Sequence, residues 1–293
     1  MPKNPDPREE GPKPPFPEQT QSHPGSAKRM DPPADHGEHS YVGTGKLLGQ
    51  SAIVTGADSG IGRAVAIAFA KEGADVVLSY LPEEEADALA TCVVIHEAGQ
   101  KAIRLPGDIG SPDYAKSLVS AAMKEFGRLD IVVNNAGFQM THENIDEIPL
   151  DEFEHTFRTN VFGTFFLSQA ALPKMKPGGS IISTTSIQAF EPSEQLVAYA
   201  ATKAAIANMT KSMAKVASKQ GIRVNAVAPG PVWTPLIPST MPNEKVKYFG
   251  ENTLFQRPAQ PIELARIFVF LASAEASYIS GEIYAATGGR TPL

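Results

Sequence analysis

Thr55-Gly56-Ala57-Asp58-Ser59-Gly60-Ile61-Gly62 stands between a short apolar run, residues 52–55, and an amphipathic stretch, residues 61–72. The apolar run predicts a strand, the glycines a tight turn, and the amphipathic stretch a helix. Gly56 permits the turn, Gly60 lets a backbone approach a pyrophosphate, and Gly62 lets the helix pack close to the strand. A phosphate at this turn would meet the positive end of the helix dipole. With Ser59 and Ile61, these glycines are the first candidate ligand-binding residues.

The pattern repeats outward from this unit. Residues 75–80, 101–105, 131–134, 180–184, 223–228 and 282–285 read as further strands. Residues 83–98, 114–126, 152–172, 196–219 and 261–272 read as helices between them. Strands alternating with helices predict βαβ units, and uninterrupted apolar strands such as Ile131-Val132-Val133 suit a sheet buried on both faces. The expected fold is α/β: one doubly wound parallel sheet of Rossmann type, with helices on both faces, over residues 46–293.

Composition breaks near residue 45. The first 45 residues hold 10 of the 25 prolines and three of the six histidines, with few large apolar side chains. Such a segment cannot offset its ordering entropy alone, so residues 1–45 are expected to form a flexible arm that contacts only the folded domain or a neighbouring subunit. His23, His36 and His39 show no metal-ligand spacing, and a metal site is not expected. The net charge of −6 argues against a nucleic-acid partner. No run of about 18 apolar residues suggests a membrane span. One cysteine, Cys92, excludes an intrachain disulfide framework and suits a reducing, cytoplasmic setting.

Further along, Tyr199 and Lys203 stand four residues apart and share a helix face. An ammonium beside a phenol favours the phenolate, lowering a pKa of about 10, and such a phenol exchanges a proton with an alcohol or carbonyl oxygen. Ser186, at a strand end 13 residues earlier, can hold the same oxygen.

The glycine spacing, Gly-x-x-x-Gly-x-Gly, resembles that of the short-chain dehydrogenase/reductase family, and the remaining motifs follow in order. They are Asp108-Ile109, Asn134-Asn135-Ala136-Gly137, Asn160, Ser186, the Tyr199-x-x-x-Lys203 pair, and Pro229-Gly230 with Val232 and Thr234 beyond. The arm and residues 78–85 are similar to bacterial members of the glucose/ribitol-dehydrogenase type. The resemblance implies an NAD(P)-dependent oxidoreductase acting on an alcohol or carbonyl substrate such as a sugar, polyol, aldehyde or ketone. It implies Tyr199 as general acid–base, Ser186 and Lys203 as its partners, and Asn160 as anchor of a water relay. Asp108 and Ile109 would meet adenine, Asn135, Ala136 and Gly137 would line the cofactor cleft, and residues 231–258 would cover the substrate. Dimers or tetramers are expected through residues 152–172 and 196–219. A non-catalytic redox sensor on the same fold is the alternative.

The choice between NAD and NADP turns on the end of the second strand. Ser79, Tyr80 and Leu81 offer no arginine for a 2′-phosphate, while Asp58 and Glu83 to Glu85 would oppose its charge, so NAD is expected to be favoured. Arg63 is the one counter-candidate.

Overall fold

A computed structural model describes residues 6–290; the outermost residues of the expected arm (1–5) and domain (291–293) lie outside them. Seven parallel strands form one sheet in the order β3-β2-β1-β4-β5-β6-β7. They are β1 (Ser51–Thr55), β2 (Asp75–Tyr80), β3 (Ala102–Pro106), β4 (Ile131–Asn134), β5 (Ser180–Thr184), β6 (Arg223–Pro229) and β7 (Ile283–Ala286). The helices are α1 (Gly60–Lys71), α2 (Glu85–Glu97), α3 (Pro112–Phe126), α4 (Leu150–Phe157), α5 (Gly163–Ala171), α6 (Val197–Ala217), α7 (Leu236–Thr240), α8 (Asn243–Lys247) and α9 (Pro261–Ala272). The doubly wound architecture expected from the strand–helix alternation is the one observed.

Alternation along each strand divides the core into two layers. Ala52, Val54, Val76, Leu78, Ile131 and Val133 face α1, α2 and α9. Their neighbours Ile53, Val77 and Val132 face α3, α5 and α6. The central strands are therefore buried on both sides, as their continuous apolar sequence requires.

Two boundaries differ from the sequence reading for visible reasons. Helix α3 starts at Pro112 rather than Tyr114, because Ser111 caps it and proline tolerates the first helical position. The expected single helix over 152–172 is interrupted by a π-helical turn, Arg158–Phe162, which separates α4 from α5 and carries the buried Asn160. Among the described residues, no helix is long and apolar enough to cross a membrane.

Residues 6–45, expected to be flexible, follow the surface of the sheet domain through specific contacts. Phe16 and Met30 are buried with Trp233, Ile237 and Val246 in a small satellite core, and the Phe16 and Trp233 ring centroids are 4.2 Å apart. The Trp233 indole N–H donates to the Pro32 carbonyl at 2.8 Å. Arg257, paired with Glu263 through two 2.8 Å bonds, also donates to the Pro7 carbonyl. Near the end of this strap, the Glu72 carboxylate accepts from the Thr44 and Lys46 amides at 2.8 and 2.9 Å. The sequence reading expected contact with the folded domain or a neighbouring subunit but named none of these partners, because the apolar anchors are few and the surface they meet is built elsewhere in the chain.

Trp233 is the only tryptophan, so its fluorescence reports the docking directly. Deletion of residues 1–40 should shift its emission to longer wavelength while the sheet domain keeps a cooperative melt. Loss of any cooperative melt would show that the strap is integral to the domain.

Candidate active site

A cavity of about 460 Å³ opens along the carboxyl ends of the strands, beside the point between β1 and β4 where strand order reverses. Gly56 and Gly60 adopt positive φ values of 62° and 50°. A Cβ at Gly62 would stand 1.8 Å from the Gly56 carbonyl oxygen, so only glycine lets α1 approach this closely. Open space above the turn and the N-terminus of α1 fit a dinucleotide pyrophosphate. Gly56, Ser59, Gly60, Ile61, Tyr80, Asp108, Ile109, Asn135, Ala136 and Gly137 all line the cavity. So do Ser186, Tyr199, Lys203, Pro229, Gly230, Val232 and Thr234. Gly62 and Asn160 lie behind the wall.

One side chain joins three strand ends at this crevice. Asn135 donates from Nδ2 to the Thr55 carbonyl at 3.1 Å and accepts from the Thr184 hydroxyl at 3.1 Å. Thr55 Oγ1 in turn accepts from the Asn135 and Ala136 amides at 2.9 and 3.0 Å.

Beyond it, Lys203 Nζ donates to the Thr184 carbonyl at 2.9 Å and lies 5.2 Å from the centre of the Tyr199 ring. Burial pushes the Lys203 ammonium down to about 8. Burial also pushes the Tyr199 phenol up to about 12, with Ser186 pulling weakly the other way. The expectation that Lys203 lowers the Tyr199 pKa is not met in the free site, because desolvation outweighs the distant cation. Asn160 is fully buried; its Oδ1 accepts from the Phe138 amide at 2.7 Å, and its Nδ2 donates to the Phe138 carbonyl and the Thr202 hydroxyl. It thereby fixes the segment after Gly137, where a Cβ would be 3.6 Å from Lys203 Nζ.

At the opposite end, the Asp58 carboxylate is buried, and among the described residues neither oxygen has a hydrogen-bond partner of good geometry, the Ser59 hydroxyl being the nearest influence that favours its charge. Burial raises its pKa, with the Asp87 charge adding to the effect. Burial and then the Asp58 charge raise Glu84, whose carboxylate accepts from the Leu81 amide at 2.8 Å. Arg63 is held by Glu38 of the strap at 3.0 Å and does not line the cavity.

Comparison with known proteins decides the family. Residues 56–291 match the family model described as Enoyl-(Acyl carrier protein) reductase. An uncharacterized oxidoreductase of Escherichia coli, YghA, is 49% identical over 275 residues, 94% of each chain. This chain belongs to the short-chain dehydrogenase/reductase family. Among its relatives in that family, the glucose and ribitol dehydrogenase of Daucus carota is 41% identical, over 93% of this chain and 96% of the carrot protein. The NADPH-dependent aldehyde reductase 1 of Arabidopsis thaliana is 42% identical, over 91% and 94% of the two chains. A short-chain dehydrogenase from Burkholderia cenocepacia, in complex with NADP, superposes with a TM-score of 0.78 at 32% identity, covering 83% of this chain and 98% of that one. A 3-ketoacyl-(acyl-carrier-protein) reductase from Brucella melitensis, complexed with NADH, gives 0.76 at 31%, covering 83% and 99%.

Several wall residues of this dehydrogenase/reductase cleft were not foreseen. His23 and Pro24 come from the strap, and Phe138, Gln139 and His155 from the segment after β4 and from α4. Of the aromatic and sulfur side chains in 231–258, Met241 and Phe249 line the cavity; Trp233 serves the strap, while Tyr248 and Phe255 are exposed. No sequence signal brings the strap here, because the contacts that do so, Ala27 to Asp87 and Gln21 to Pro238, join residues far apart in the chain.

The acidic pair has a consequence for stability. Its raised pKa values mean that the folded chain binds more protons than the unfolded one above the ordinary carboxylate range, near pH 4. Stability of the ligand-free protein should therefore fall as pH rises from about 5 toward 8, the value to which Glu84 is pushed. Glu84→Gln, which preserves the bond to the Leu81 amide, should flatten part of that slope in thermal melts; an unchanged slope would reject the assignment.

Proposed function

We propose that this chain transfers a hydride between NAD(P)(H) and the reacting carbon of an alcohol or carbonyl substrate. The observation that carries the reading is the meeting of Ser186, Tyr199 and Lys203 on one wall of the cleft, beside the glycine turn. The residue roles follow from it. A bound nicotinamide supplies or accepts the hydride. Tyr199 gives its proton to the carbonyl oxygen during reduction, and the raised phenol pKa keeps that proton in place at neutral pH. Ser186 holds the same oxygen. Lys203 binds the nicotinamide ribose and, with its ammonium largely charged near neutral pH, favours the phenolate when Tyr199 must act as base. Asn160 positions the wall after β4 and anchors the water that relays protons to Lys203.

The Asp58–Glu84 pair supports a preference for NAD over NADP. A buried carboxylate can accept from ribose hydroxyls, whereas a 2′-phosphate would bring further negative charge to an end of the cleft that, among the described residues, no arginine lines, Arg63 being held by Glu38. The similar solved structures include one bound to NADP and one bound to NADH, so the proposed preference rests on these residues alone.

The working form we propose is a cytoplasmic homo-oligomer, dimer or tetramer, without nucleic-acid or membrane partners. Exposed Phe153, Phe162, Phe165, Val197 and Val216 on α4 to α6, including the intervening turn, support pairing of these helices. A redox sensor without turnover finds no support in a cleft that keeps all three groups.

Tyr199→Phe should lower turnover by at least about 10²-fold with little effect on cofactor affinity, measured by nicotinamide absorbance over a panel of polyols, sugars and aldehydes. Near wild-type turnover would sink the assignment. Leu81→Arg should shift kcat/KM toward NADP by about tenfold or more, the worth of one charged hydrogen bond. Equal or better use of NADP by the wild type would overturn the cofactor preference.

A further inference from the structure

The loop that carries His23 is hung across the cleft from anchors on both sides. On one side the Gln21 amide donates to the Pro238 carbonyl at 2.9 Å, and the Gln21 side chain is buried. On the other, the Ala27 amide donates to Asp87 on α2 at 2.8 Å. Gln21 Oε1 accepts from the Ser26 amide at 2.7 Å, and the Gly25 amide bonds to the Ser22 carbonyl at 2.9 Å, so the loop is closed on itself. Gly25 sits at φ +84°, where a Cβ would lie 2.9 Å from the Pro235 carbonyl oxygen. The loop is thus seated tightly against the segment that follows β6.

His23 meets Phe138 edge-on at 4.9 Å between centroids, and His155 meets the same ring from α4 at 4.6 Å. Phe138 directly follows Gly137, whose position is 3.6 Å from Lys203 Nζ by the Cβ measure, and its backbone is the one Asn160 holds. His23 therefore packs on the ring of the residue that directly follows the glycine beside Lys203. Among the described residues, neither imidazole has a hydrogen-bond partner, and both stay accessible in the cavity wall. The other polar groups on this side, Gln139 and Gln188, are uncharged, and Arg290 is paired with Glu191 at 2.9 Å. Burial and the neighbouring His155 lower the His23 pKa, which favours an imidazole with one donor and one acceptor nitrogen.

We propose that the N-terminal strap completes the substrate subsite, with His23 as a specificity-determining residue that hydrogen-bonds hydroxyl groups of a neutral, polyhydroxylated substrate beyond its reacting carbon. An aromatic wall bordered by uncharged donors and acceptors matches the apolar C–H faces and hydroxyl edges of a polyol better than it matches an anion or a plain alkyl chain. This rests on the hydride-transfer reading for the direction of the substrate but not for its binding.

The test is binding of glycerol, ribitol and sorbitol to the NAD-loaded protein by calorimetry, in wild type, His23→Phe and His23→Ala. His23→Phe keeps a ring against Phe138 and removes only the nitrogens. At least one polyol should bind the wild type and bind both variants several-fold to about tenfold more weakly, the range of one or two neutral hydrogen bonds, with NAD affinity unchanged. Absence of polyol binding by the wild type, or equal binding by wild type and His23→Phe, would overturn the proposal. Intact polyol binding without turnover would instead count against hydride transfer and leave the subsite standing.

Discussion

Parallel strands that diverge from a reversal of order leave a crevice, and the crevice is useful only if its edges are held at a fixed separation. Asn135 does this here. Its amide group spans the carboxyl ends of β1 and β5 from a position at the end of β4, and Thr55 returns two bonds to the backbone at Asn135 and Ala136. The glycine turn, Ser186 and Lys203 are set from these three strand ends. The glycine turn continues from Thr55, Ser186 follows Thr184 by two residues, and Lys203 is tied to the Thr184 carbonyl. A polar side chain is the suitable device, since the strand ends expose carbonyls and amides that must be paired once the cleft is dry.

Burial then acts oppositely on the two ionisable groups of the wall formed by Tyr199 and Lys203. It holds the Tyr199 phenol protonated and makes the Lys203 ammonium easier to discharge. A phenol held protonated in this way needs an added positive influence beside it before it can act as a base. At the far end of the same cleft, burial works on Asp58 and Glu84 in the sense that favours their neutral forms. The polarity of the cleft is thus graded, with the carboxyl groups at one end and the phenol–ammonium pair at the other.

How much of this was legible depended on the range of the contacts. Gly56, Gly60 and Gly62 could be read because a single local turn imposes their spacing, and Tyr199 with Lys203 because helix geometry brings positions four apart together. The two-faced core followed from the period of β1, β2 and β4. Local rules could not show the π-helical turn at Arg158–Phe162, which tertiary packing around Asn160 accompanies. They also could not name the strap's partners. Phe16, Met30 and the backbone of Pro32 matter because Trp233 waits for them across the fold, and a segment poor in apolar residues needs only a few such anchors. His23 was legible only as one histidine among three, and its placement depends on anchors at Pro238 and Asp87.

The central claim is direct hydride transfer at the wall formed by Ser186, Tyr199 and Lys203. It is tested most directly by incubating the protein with NADH deuterated at the transferring C4 position and a panel of aldehydes and ketones, and locating the label by mass spectrometry. The account predicts deuterium on the carbinol carbon of at least one product alcohol, with the transfer largely lost in Tyr199→Phe. Label retained on the cofactor across the whole panel, or transferred equally well by the variant, would contradict it.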